Sequence, residues 1–442
     1  MRPIIFTALL SLLTEDGYRD KMVIKTEKRV VYAAPINDAT LIWGVYCLPR
    51  MWRKPDGELT IRINGEQDCP DKKTASKADT LYFCSSDKGK TWRQTGEKQN
   101  FSYITGISAP VLSLKNGKKI AFKNVEGLKP IVGIREVCRF EMPNKEGIYK
   151  AYRYGDIPKD AKGLKTVEFD SFGNIVWSDC VDMGFPEREV FVVAYPNVNG
   201  KYIKRDEYLL PMPWSSPYMS SLTEYDEKTL LALTTGQNPL VNDRYCPDVY
   251  VMESTDKGKT WRKRGTVANG FYMPNGYSGD GTEVSMCKTC DGTLICVMRM
   301  EMSVTEPHLC DTMMARSFDG GFTWSEPVSV AESSVTPHIV ALKNGIVVLI
   351  YGRPGVHFKY SLDNGKTFSE STAIIGETLS EKRARGISDA VSKYGDMDSY
   401  SNTFVEVVGD DSLLVVYNDM KYDTGDGKNH KATMVAEIKL CI

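Results

Sequence analysis

The octapeptide SSDKGKTW, residues 85–92, returns three times: as STDKGKTW at 254–261, as SFDGGFTW at 317–324 and as SLDNGKTF at 361–368. The shared pattern is Ser-x-Asp-x-Gly-x-Thr-aromatic. Asp and Ser side chains accept hydrogen bonds from backbone N–H groups a few residues on and so close a tight turn. Gly supplies the positive φ that such a turn requires. Thr and Trp then open a strand, and the Trp brings a large apolar face. Each copy follows a strand-like run: TLYFC, DVYVME, TMMAR or HFKY. The unit therefore reads as strand, turn, strand. It holds no nucleophile beside a base, so its role is structural.

A second repeat underlies the first. An Asp-Gly, Asn-Gly or similar pair precedes a β-rich run in PDGELTIRI from Pro55, KNGKKIAFK from Lys115, YDEKTLLAL from Tyr225, CDGTLICVMR from Cys290, KNGIVVLIYGR from Lys343 and GDDSLLVVY from Gly409. These are six hairpin-like units. The octapeptide follows the first, third, fourth and fifth; the second lacks one, and the last lies too near the C-terminus. No long segment has a convincing 3.6-residue apolar period. Short strands, Gly-rich turns and one aromatic motif per unit predict radial repetition: an all-β, six-bladed β-propeller. Residues 124–217 exceed one blade, so an insertion is expected there. MVIKTEKRVVYAA near the N-terminus and ATMVAEIKL near the C-terminus are both strand-like, and one is expected to complete a blade begun by the other. The predicted organisation is an N-terminal segment, 1–22, with weak signal-like character, and a propeller over 23–442.

Composition excludes several classes. The 56 Lys and Arg balance 57 Asp and Glu, so no charge points to nucleic acid, and no apolar run of 18 residues predicts a membrane span. The 11 cysteines are scattered through apolar strands, which reads as buried thiols in a reducing cytoplasm. Secretion is the alternative if IIFTALLSLL acts as a signal. CKTC at 287–290 has metal-ligand spacing but no second pair, so no metal or cofactor is expected.

The octapeptide resembles the Asp box of sialidases and related propellers, over residues 25–440. That box marks the propeller and not the activity, since many such propellers only bind. The resemblance implies a site at the rim where the inner strands begin and lead on. In the fourth unit Glu283 begins the inner hairpin and Arg299 ends it. This is similar to the sialidase arrangement, in which a Glu assists a Tyr nucleophile and an Arg about 15 residues on binds the substrate carboxylate. The bland alternative is a surface salt bridge. In the fifth unit Arg353 takes the place of Arg299, and His338 stands before the strand as a rim contact, an acid or a structural His. In the sixth, Tyr400, preceded by Asp396 and Asp398, resembles the sialidase Tyr; otherwise it is a half-buried blade-start aromatic. Sialidases usually carry Arg-Ile-Pro at the first unit. That motif is absent, and Arg50 is the nearest match, with Arg53 and Arg62 as rivals. The general acid would be Asp68 or Asp71, in the loop that follows.

These residue types suit an acidic sugar. Arg forks hold a carboxylate bidentately and keep their charge. A neutral Tyr escapes the repulsion a carboxylate nucleophile would meet. The resemblance implies a glycoside hydrolase that releases a terminal acidic sugar, sialic acid first, from a glycan or oligosaccharide. The alternatives are a hydrolase or lyase acting on uronic-acid polysaccharide, with His338 and Tyr400 as acid and base, and a non-catalytic glycan- or protein-binding propeller.

Overall fold

The structure is a computed structural model. It describes residues 22–34, 45–65, 78–96, 111–124 except 116, 129–130, 133–141, 148–159, 164–181 except 171 and 173, 190–191, 197–198, 201–202, 208–209, 220–237, 247–268, 281–300, 311–332, 335–387, 398–399 and 403–441.

Six four-stranded antiparallel sheets form the ring, as the repeats predict. Blade 1 runs Arg50–Arg53, Leu59–Ile63, Leu81–Ser85, Arg93–Thr95 from the innermost strand outward. Blade 2 is Leu112–Ser113, Lys119–Asn124, Leu164–Phe169, Ile175–Cys180; blade 3 is Ser220–Glu224, Leu230–Gln237, Pro247–Ser254, Arg262–Ala268. Blade 4 is Gly281–Lys288, Leu294–Met300, Asp311–Ser317, Val328–Ala331; blade 5 is His338–Ala341, Val347–Gly352, Val356–Ser361, Thr372–Ile375. Blade 6 takes Phe404–Val407, Ser412–Asp423 and Asn429–Cys441 from the C-terminus, and its outer strand, Val23–Ala33, from the N-terminus. Val23 lies opposite Cys441 and Ala33 opposite Ala432, so the two ends of the described chain close the ring in one sheet.

The core lies between the blades. Leu231 and Val251 of blade 3 meet Met286 and Cys296 of blade 4, while Ile350 and Phe358 of blade 5 meet Val415 and Ala436 of blade 6. The middle strands are covered on both faces, which is why Val347–Gly352 reads as an unbroken buried run rather than an alternating one. The excess chain of blade 2 forms further sheet: Glu136–Glu141 and Ile148–Arg153 pair with each other and with Val190–Phe191, and Lys129–Pro130 pairs with Tyr208–Leu209. In a meander these two excursions, after the second strand and after the fourth, leave from the same face of the ring.

All four octapeptides sit between the third and fourth strands of their blades and are built alike. In blade 3, Ser254 Oγ donates to Asp256 (2.8 Å) and accepts the Gly258 N–H (2.8 Å), while Thr260 donates to Asp256 through backbone and hydroxyl. The Trp261 Nε1–H then returns to the Gly258 carbonyl at 3.0 Å. Gly258 has φ +85, and a Cβ there would press on Ile120 and Thr166 of blade 2. Likewise Gly89 lies on Leu414 of blade 6, Gly321 on Leu294 of its own blade and Val251 of blade 3, and Gly365 on Ile295 of blade 4. Each unit is thus a local turn and also a latch onto the preceding blade. Blade 2 carries a relic of it. Asp170 follows the third strand and accepts the N–H groups of Phe172 and Asn174, both at 2.9 Å, without the Ser and Thr that made the other copies recognisable.

Candidate active site

Alternation of strand direction puts the octapeptides on one face of the ring. The starts of the first strands and the ends of the second lie on the other, the channel mouth. Arg50, Glu283, Arg299, His338 and Arg353 therefore share the mouth face. Arg53 does not: it ends the first strand of blade 1, and its guanidinium reaches Glu406 (3.4 Å) and the Val407 carbonyl (3.1 Å) at the far end of blade 6. Arg62 stands opposite Arg50 in the same blade.

Glu283 is displaced from the regular ladder. Gly281 pairs with Met300 and Val284 with Met298, so two residues, Thr282 and Glu283, stand opposite Arg299 alone. Such a bulge re-aims a side chain. Arg299 Nη1 lies 3.2 Å from Glu283 Oε2, with both side chains largely buried, at 16% and 14% exposure. The Thr336 backbone N–H donates to the same oxygen at 2.5 Å. Thr336 is bound in turn to blade 6: the Thr403 N–H donates to its hydroxyl (3.0 Å), and the Thr403 hydroxyl donates to its carbonyl (3.2 Å). His338 Nε2 lies 2.7 Å from the Thr403 carbonyl, so that nitrogen carries the proton. The imidazole is buried in the channel wall, and burial pushes it down to about 4, leaving it neutral at ordinary pH.

Tyr400, Asp68, Asp71 and Asp396 lie outside the described residues, but both flanks of Tyr400 are held. The Ser399 N–H donates to the Pro354 carbonyl, one residue beyond Arg353, at 3.0 Å. Asp398 is gripped by Lys421 (2.8 Å) and by the buried Lys382 (3.1 Å). On the other side Thr403 is tied to Thr336. The structure thus joins Glu283, Arg299, His338 and Thr403, on one flank of Tyr400, into one hydrogen-bonded set, while the other flank is tied to Pro354, Lys382 and Lys421.

Inside the mouth is a cavity of about 140 Å³ lined by Trp52, Ser221, Thr223, Ser285, His338 and Glu406 among others. Hydroxyls on one inner strand here accept backbone N–H groups of the next: Ser221 from Met286 (2.8 Å) and Ser285 from Ile339 (3.1 Å). Glu406 does the same for Arg53 (3.2 Å), and burial pushes its carboxyl upward against the pull of the Arg53 charge. Thr336, Thr403 and Glu406 were not legible as site residues from sequence; only their position beside the inner strands hints at them. Among the described residues no group of three or more His, Cys, Asp and Glu is arranged to hold a metal. Cys287 is buried, its thiol pushed up to about 12, while Cys290 is exposed, and both are free. No described helix is long and apolar enough to cross a membrane.

No protein-family model matches the chain, and no curated protein matches it significantly. Among solved structures it is similar to a protein of unknown function from Dyadobacter fermentans, at 16% identity and a TM-score of 0.56, over 94% of this chain and 99% of that one. A Hadza microbial sialidase, Hz136, is 15% identical with a TM-score of 0.46, over 93% of this chain and 68% of that one. An α-L-arabinanase from Penicillium chrysogenum complexed with arabinobiose is 14% identical with a TM-score of 0.46, over 93% and 98%. At these identities the first likeness bears on the fold alone, and the other two support no further inference.

Proposed function

We propose that the chain is a propeller glycoside hydrolase that releases a terminal acidic sugar, sialic acid first, at the mouth of its channel. The observation that carries this reading is the bulge that sets Glu283 against Arg299 at the start of an inner strand. A carboxylate able to take a proton and a guanidinium able to hold a carboxylate are then adjacent. Arg299 and Arg353 hold the sugar carboxylate, and Arg50 is the candidate third partner. The Tyr400 hydroxyl attacks the anomeric carbon while its proton passes to Glu283. The bond to the leaving oxygen breaks as Asp68 or Asp71 protonates that oxygen. Water then gives a proton to the same Asp, now a carboxylate, and attacks the anomeric carbon; the bond to Tyr400 breaks as the proton returns from Glu283 to the tyrosine oxygen, and the free sugar departs.

The uronic-acid alternative assigns acid chemistry to His338. Its buried ring and its bond to the Thr403 carbonyl weigh against that role. A panel of aryl glycosides comprising sialosides, glucuronides and arabinosides tests the reading. Release from sialosides that Tyr400→Phe abolishes is the expected result. Cleavage of glucuronides alone moves the chain to the uronic-acid class, and binding without cleavage of any member makes it a lectin-like propeller.

A further inference from the structure

Seven described residues other than glycine have a positive φ. Lys88, Lys257 and Asn364 belong to octapeptide turns. Tyr46, Leu48, Ser221 and Thr336 all lie where inner strands begin, on the mouth face. A β-branched residue at φ +47, as in Thr336, is an outlier that persists only when its surroundings over-determine it. Three bonds do so here: the Val335 N–H to the Gly352 carbonyl (2.6 Å) and the reciprocal pair with Thr403. His338 braces Thr403 from its other side. The product of this conformation is one N–H aimed at Glu283 Oε2.

We propose that Thr336 is a positioning residue that fixes the Glu283 carboxylate by its Oε2, leaving Oε1 as the oxygen that receives the proton. Its role in turnover rests on the reading of Glu283 as proton acceptor; its hold on the carboxylate does not. Arg299 meets the same Oε2, so both donors anchor one oxygen and neither obstructs the other. Blade 6 enters through Thr403, three residues after Tyr400. The proton acceptor is thereby referenced to the chain just before the inner strand Phe404–Val407.

The test is made without substrate, at one neutral pH. The carboxyl carbon of Glu283 is followed by NMR in protein labelled at glutamate, its signal identified by its loss in Glu283→Gln. Thr336→Val keeps the branching but removes the oxygen that accepts the Thr403 N–H. It is expected to free the turn, withdraw the N–H donor and move the Glu283 carboxyl signal, which reports the donors on the carboxylate. Thr336→Gly removes the same oxygen yet tolerates φ +47, so its displacement of the signal is expected to be smaller, and it serves alone if the Val variant fails to fold. A signal that stays at its parent position overturns the proposal even if sialosides are cleaved. A moved signal in a protein that cleaves no aryl glycoside upholds the positioning and overturns only the hydrolase reading.

Discussion

The two faces of the ring are held by hydrogen bonds of different reach. On the octapeptide face, Ser254, Asp256, Gly258 and Thr260 bond to one another within five residues, and the same set recurs at Ser85, Ser317 and Ser361. At the mouth, Thr336 reaches Glu283 across 53 residues and Thr403 reaches Thr336 across 67. The near face repeats because each blade needs the same latch. The mouth does not repeat, because the inner strands begin with different residues: Arg50, Leu112, Ser220, Gly281, His338 and Phe404. A change on the first face should therefore alter stability and leave chemistry alone, while one at the mouth should do the reverse.

The largest effect expected on the octapeptide face is from Trp261→Ala. The ring is 4% exposed and lies 5.3 Å from Phe122 of blade 2, between two sheets. Truncation is expected to cost about 3–5 kcal/mol in denaturant unfolding. Substrate preference should stay as in the parent; a changed preference at retained fold would break the division between the faces.

At the mouth, Arg299→Ala is expected to reduce kcat/KM on an acidic aryl glycoside by at least about 2 kcal/mol, roughly thirtyfold, because the substrate carboxylate loses its partner. A neutral sugar should lose less. Equal losses on both would mean that Arg299 serves Glu283 and not the substrate.

The difference in reach also explains what the sequence disclosed. The octapeptide, the blade count and the shared outer strand Val23–Ala33 were legible because each is written in contiguous residues. The pairing of Glu283 with Arg299 was legible because the two flank one hairpin. Thr336 and Thr403 were not, since neither residue type nor spacing marks a Thr whose backbone N–H matters. The Asp170 turn of blade 2 escaped for the opposite reason. It keeps the geometry of the motif with most of its letters gone.

Asp256→Ala tests a single latch. The carboxylate accepts from Ser254, Lys259 and Thr260, and its loss leaves those donors to water or unpaired. The expected cost is about 1–3 kcal/mol at neutral pH, measured by thermal or urea unfolding, with activity preserved.

The faces should also differ in the sign of their pH dependence. Hydrogen bonds from Thr91 hold Asp87, and those from Thr323 hold Asp319, below the ordinary carboxylate range. At Asp256 and Asp363 burial pushes upward, and bonds from the neighbouring Thr and Ser outweigh it. A folded value below the unfolded one gives stability that is present above about pH 4 and lost as pH falls through the folded value. His430, where the ring closes on the mouth face, is raised by the Ala34 carbonyl first and by Asp426 next. Its contribution is full below about pH 6.5 and is lost as pH rises through the higher folded value. Melting temperature against pH should flatten on the acid side in Asp319→Asn and on the alkaline side in His430→Gln. Both variants flattening on the same side would contradict the assignment.

The smallest effect sharpens the comparison most, because it places the same backbone conformation on each face. Lys257 has φ +64 in an exposed turn, at the position where blade 4 has Gly320 at φ +80. A left-handed residue with a Cβ is disfavoured by about 1–2 kcal/mol, and glycine relieves that. Glycine also makes the unfolded chain freer, which takes back about 0.5–1 kcal/mol. Lys257→Gly is therefore expected to change unfolding free energy by no more than about 1.5 kcal/mol, and to leave kcat and the Glu283 carboxyl signal untouched. Thr336→Gly, with the same relief of strain, is expected to move that signal. The Lys257 turn ends in its own octapeptide, and the Thr336 turn ends in an N–H directed at a carboxylate. If Lys257→Gly moves the Glu283 signal as Thr336→Gly does, the backbone at the mouth has no special role, and the strain there is as structural as that in the turns.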